Sequence, residues 1–197
     1  MSDVLPRPIA REATRRPFSM DEALEMQAAG HFRGLRTQLL DGEVHVMPHD
    51  GVRHIRYAME LAGAFFRSLS PERYFIGVQT TLHLSRFNGP SPDLYVLRAG
   101  PVVRDTPAER ILLVVEVADS SLKDDLGDAA SRYARHGVRE YWVVDASGRQ
   151  TFVHREPQGG AYPEPLSVPF EMLLSPALIP EFAVRIADFE PPEGTSA

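Results

Sequence analysis

From Ile111 to Val117 the chain runs Ile-Leu-Leu-Val-Val-Glu-Val, an apolar, β-branched stretch that carries one acid, Glu116. Such a run reads as a central strand of a sheet. An unpaired carboxylate is expensive to bury, so Glu116 needs a cation, a proton or hydrogen bonds. A strand–helix–strand unit follows. Asp124 to His136 reads as a helix stopped by Gly137, and Tyr141-Trp142-Val143-Val144 reads as another buried strand. The two strands are expected to be parallel, joined by a right-handed helical crossover, which makes the sheet mixed.

Other signals fill in the order of elements. Ser19-Met20-Asp21-Glu22 is a capping box and starts a helix that runs to about Ala29. Leu35 to Leu40 and Glu43 to Met47 flank Asp41-Gly42, a pair that accepts positive φ, so they read as a tight hairpin. Ile55, Ala58, Met59, Ala62, Phe65, Phe66 and Leu69 recur at three- and four-residue steps and predict one buried helix face ending before Pro71. Strands are expected at Tyr74–Val78, at Thr80–Leu84, from Pro92-Asp93 to Leu97, and at Gln150–Val153. The fold class is therefore α/β (α+β), a mixed β-sheet flanked by helices. The expected organisation is a flexible N-terminal arm over 1–17, one domain over 18–190 and a disordered tail over 191–197.

The arm contains Arg7, Arg11, Arg15 and Arg16, which could touch phosphates, although a solvated tail is the simpler reading. Cysteine is absent, which rules out disulfides, thiolate zinc sites and a cysteine nucleophile. That suits a cytoplasmic location. No apolar run is long enough to span a bilayer. The formal charge is -6, so any surface that holds nucleic acid must be a local arginine patch. No phosphate-binding glycine loop and no Gly-x-Ser-x-Gly elbow is present, so Ser120 and Ser121 read as turn and cap residues. His45, His49 and His54 lack a spacing that would unite them on zinc, and His54 reads as a helix-start residue near the active cleft, with a surface histidine as the simpler alternative. Tyr141 and Trp142 read as core.

Asp93, at the head of its own short strand, is the natural companion of Glu116. Two acids meeting at one sheet edge repel each other unless a divalent cation lies between them. Magnesium takes oxygen ligands and keeps several waters, so two carboxylates and a backbone carbonyl suffice to hold it. A metal-bound water is a ready nucleophile, and the ion neutralises charge developing on phosphate oxygens. From spacing alone a structural reading stays open, with Asp93 capping a turn and Glu116 pairing with an arginine.

The ordered set of motifs resembles a large bacterial family of candidate restriction endonucleases, first catalogued as a domain of unknown function, within the PD-(D/E)xK nuclease superfamily. The resemblance covers roughly residues 18–190. It rests on Leu40-Asp41-Gly42-Glu43 with Met47-Pro48, on His54, on Pro92-Asp93, and on Val114 to Ser121. It continues through Asp125, Tyr133-Ala134, Gly137-Val138 and Glu140 to Asp145. It implies a restriction-endonuclease-like fold with Asp93, Glu116 and the Val117 carbonyl as ligands of Mg²⁺ or Mn²⁺. It also implies hydrolysis of nucleic-acid phosphodiesters, with DNA as the expected substrate. A homodimer suits that chemistry, because cutting both strands needs two sites.

The chain departs from the family pattern at three places. The superfamily lysine two residues after the glutamate is Ala118, and the family's alternative lysine on the next helix is Ala129. A glutamate frequent before the hairpin turn is Gln38, which can hold a water but cannot act as a charged ligand or base. Losing such a lysine costs on the order of 10²–10³ in rate, by analogy with oxyanion donors. Two candidates to replace it are Arg132, three residues beyond Ala129, and Lys123, the sole lysine of the chain. Two functional readings therefore follow: a metal-dependent endonuclease, and a catalytically degenerate module of the same fold that binds nucleic acid or protein without cutting.

Overall fold

The structure, a computed structural model, describes residues 15–101 and 106–190. Most of the expected arm, including Arg7 and Arg11, and the whole expected tail lie outside them. Helix α1 (Met20–Ala28) starts on the capping box. The Ser19 side chain accepts from the Glu22 amide, and the Glu22 carboxylate accepts from the Ser19 amide. Strands β1 (Thr37–Leu40) and β2 (Glu43–Val46) form the hairpin, with Asp41 and Gly42 both at positive φ. Helix α2 spans Val52–Ser68.

A six-stranded sheet forms the centre. It contains β3 (Tyr74–Val78), β4 (Leu94–Arg98), β5 (Ile111–Ala118), β6 (Glu140–Asp145), β7 (Gln150–Arg155) and β8 (Leu166–Pro169), paired in that order. Every pairing is antiparallel except β5 with β6, where the crossover makes a parallel junction. Strand β3 opens an antiparallel meander through β4 to β5. A small two-stranded ribbon, β9 (Leu173–Leu174) and β10 (Val184–Arg185), lies near the C-terminal end.

Side chains alternate along β5 and separate two cores. Leu113, Val115 and Val117 face α2 and the C-terminal segment, where Phe65 stacks on Phe182 at 4.1 Å. Val114 and Ala118 face the crossover helix, together with Tyr133, Tyr141 and Val143. Trp142 and Tyr141 are fully buried, on opposite faces of β6, as core residues.

Three details differ from the sequence expectations. Thr80–Leu84 is not a strand. Gln79 takes a left-handed φ of 47° and turns the chain off the sheet, and Leu82 and Leu84 then bond to Pro90 and Asn88 in a local excursion. The crossover begins at Leu122, earlier than expected, and consists of α3 (Leu122–Asp124), a π-helical turn over Asp125–Ala129 and α4 (Ala130–Arg135). On α2 the buried residues are His54, Tyr57, Ala58, Leu61, Ala62 and Phe65, whereas Ile55, Met59 and Phe66 are exposed. The helix is apolar over more than one face, and spacing alone merged the two.

Candidate active site

Extension of the β4–β5 ladder, in which Leu94 opposes Val115, brings Asp93 opposite Glu116. The Glu116 side chain meets Tyr133 of the crossover helix, whereas the Asp93 carboxylate sits at the end of the sheet where β4 begins and β5 nears its end, between the Val117 amide and His54 of α2. Their local bonding departs from a plain ladder. The Asp93 amide donates to Glu116 Oε2 at 3.1 Å, and the Val117 amide donates to Asp93 Oδ2 at 2.8 Å. In an extended strand the C=O of a residue points to the same side as its N–H. The Val117 carbonyl thus faces the Asp93 side, while the Ala118 carbonyl turns to β6 and accepts from Ala146.

Neighbouring elements supply the rest. His54, in the first turn of α2, is buried, and its Nε2 lies 2.7 Å from Asp93 Oδ2, with Nδ1 3.3 Å from Asp50. Burial alone would lower the imidazole pKa. The Asp93 contact and the charges of Asp93, Asp50 and Asp125 outweigh it and hold the pKa above the ordinary histidine value. Tyr133 on α4 donates to Glu116 Oε1 at 3.0 Å. Asp125, in the π-helical turn, accepts from Ser121 Oγ at 2.5 Å. Ser121 therefore acts through its side chain on Asp125 and makes no N-cap bond.

The site carries an excess of acid. Burial first, then the charges of Asp93 and Asp125, push the Glu116 carboxyl well above the usual carboxylate range, although bonds from the Asp93 amide and Tyr133 oppose the shift. Burial, reinforced by Asp93 and Asp124, pushes Asp125 up to about 6 despite its Ser121 bond. His54 is the one basic side chain in contact with the Asp93–Glu116 pair among the described residues.

The remaining sequence candidates lie apart from the pair. Gln38 on β1 accepts from the Ser91 amide at 3.1 Å, close in sequence to Asp93, and serves the hairpin's attachment. Lys123, on α3, contacts neither carboxylate and is exposed. Arg132 turns to the hairpin, 3.9 Å from Asp41, and its buried Nε has no partner among the described residues. Ala118 is fully buried in the core, and Ala129 packs against the same cluster. His45 and His49 are exposed and distant in role from His54. Arg15 and Arg16 pair with Glu43 and Glu22. Among the described residues no three His, Cys, Asp or Glu side chains are grouped to hold a metal ion. A metal here would therefore rest on two carboxylates, a carbonyl and water. The donor chemistry fits such an ion, since two opposed acids and a third nearby have one histidine to balance them.

Sequence reasoning missed the partners of His54 and the roles of Asp125 and Tyr133. For His54 a signal existed. It falls in register with Tyr57, Ala58, Leu61 and Phe65, the face of α2 that is buried. Asp125 and Tyr133 carried no such signal beyond their place in the motif.

A family model described as "Putative restriction endonuclease" (Uma2) matches residues 20–187. Among solved structures, a "putative nuclease belonging to DUF820" from Anabaena variabilis is similar with a TM-score of 0.65. It has 16% sequence identity and covers 88% of this chain and 97% of that one, which is a likeness of fold. None of the curated proteins searched matches the chain significantly.

Proposed function

The chain belongs to the Uma2 family, described as "Putative restriction endonuclease", and on that footing we propose that it is a metal-dependent nuclease acting on nucleic-acid phosphodiesters, with DNA as its substrate. One observation carries the reading. Asp93 and Glu116 meet at one end of the sheet and are tied by the amides of Asp93 and Val117. Asp93, Glu116 and the Val117 carbonyl would hold Mg²⁺ or Mn²⁺. When bound, the ion supplies an activated water and neutralises charge on the phosphate. The protein's share is positioning. The Val117 amide fixes the Asp93 carboxylate, with His54 Nε2 lying against it, and Tyr133 fixes Glu116. Asp125 adds negative charge that favours a cation at the pair.

The test is cleavage of DNA and RNA with Mn²⁺ or Mg²⁺, by wild type and by Asp93→Asn and Glu116→Gln. Loss of cutting in both variants is expected. Variants that cut as well as wild type would refute the assignment. A second reading, binding without cutting, is favoured by Ala118, which fills the usual lysine position with fully buried core. It predicts Mn²⁺-dependent stabilisation that Glu116→Gln removes, with no turnover.

A further inference from the structure

Helix α2 has a second apolar face that its own fold leaves uncovered. Val52 is 83% exposed, Ile55 46%, Met59 64% and Phe66 59%. At 100° per residue these four, with Gly63, fall within an arc of about 80°. Their spacing of three and four residues is that of a helix–helix seam, narrower than the stripe by which a helix packs onto a sheet.

Gly63 is the second observation. Glycine inside a helix is disfavoured relative to alanine, because it loses more freedom on folding. Nothing among the described residues requires it. A Cβ at Gly63 would meet only the Arg67 guanidinium, the far end of a flexible side chain. A bare backbone in the middle of an exposed apolar seam is what a closely approaching second helix needs.

The third observation is charge. Arg56 and Glu60 flank the seam on one side, and neither makes an ion pair among the described residues. We propose that α2 is a homodimer interface in which two copies of this chain pack their α2 helices antiparallel about a two-fold axis near Met59. An isologous contact matches a patch to itself. Centred on Met59, it sets Val52 against Phe66 of the second copy and Ile55 against its Gly63. In an antiparallel pair like flanks meet, so Arg56 of each copy comes beside Glu60 of the other. The bulky residue faces the smallest, and the unpaired charges become reciprocal pairs. The inference uses no part of the nuclease reading and stands or falls apart from it.

The test measures mass by light scattering and sedimentation for the full chain across micromolar to sub-millimolar concentrations. Wild type should self-associate to a dimer. Met59→Glu puts two carboxylates on the axis and should weaken the dimer about a hundredfold or more, because it removes two buried apolar side chains. Its fold should persist, since Met59 is exposed in the monomer. Gly63→Leu should block close approach while leaving the monomer at least as stable, as read by thermal melting. Arg56→Glu and Glu60→Arg should each weaken the dimer, and the double exchange should restore it. A wild type that stays monomeric throughout, or a dimer indifferent to Met59→Glu and Gly63→Leu, overturns the proposal.

Discussion

Replacing Asp125 by asparagine should stabilise the metal-free protein at neutral pH and do nothing for it in acid. The Asp125 carboxyl is pushed up to about 6, chiefly by burial, with Asp93 and Asp124 adding repulsion. Against an unfolded value of about 3.9, that is roughly two pH units, and at about 1.4 kcal/mol per unit the charged form costs the fold about 3 kcal/mol. The sign follows from proton counts. Between those two pH values the folded state holds more proton than the unfolded one, so this group's contribution falls as pH rises and levels off above about 6. The asparagine amide keeps an oxygen for the Ser121 hydroxyl and carries no charge. The variant should therefore melt higher than wild type at pH 7–8, by several degrees at about 2–4 °C per kcal/mol for a chain of this size. The gap should close as pH falls through 6 toward 4. The assay is a set of thermal melts over that range in chelator. A gap that is absent at pH 8, or that persists undiminished at pH 4, would refute the account of a desolvated acid held by its neighbours.

Other perturbations are as direct. Glu140 is almost fully buried and accepts from Trp142 Nε1, Arg155 Nε and the Ala177 amide, so Glu140→Gln should cost about 2–3 kcal/mol in urea unfolding; no loss would show the network to be dispensable. His154 is buried between Tyr141 and Tyr162 with neither ring nitrogen partnered among the described residues, and burial lowers its pKa. The stability it contributes is present above about pH 6.5 and lost as pH falls through the lower folded value; His154→Phe should flatten that slope in pH-dependent melts. Tyr133→Phe removes the hydroxyl bonded to Glu116 and should weaken Mn²⁺ binding about tenfold with the fold intact, read by Mn²⁺ titration of the melting temperature.

The carboxylates were legible in the sequence because charge inside an apolar strand is costly, and Glu116 announces itself by that cost alone. That Asp93 stands opposite it is a matter of register, which local patterns do not encode. The sheet order follows from the strand–helix–strand unit and the short connections. Thr80–Leu84 alternates like a strand, yet one left-handed residue, Gln79, takes it off the ladder. The π-helical turn that presents Asp125 leaves no periodic trace in five residues. Apolar spacing on α2 identified a helix but could not separate the face turned to the sheet from the one turned outward, because both satisfy three- and four-residue steps.

The single parallel junction, β5 beside β6, has a consequence for how such a protein diversifies. Both strands deliver their chain to the same rim, so the segments that follow them, Asp119–Ser121 and Ala146–Arg149, sit side by side. Arg53 already reaches Asp119 and Ser147 there. The acids that would do the chemistry are anchored by backbone amides within the sheet, while these loops hang beyond it. Selection can therefore recut the rim without disturbing the two acids held within the sheet.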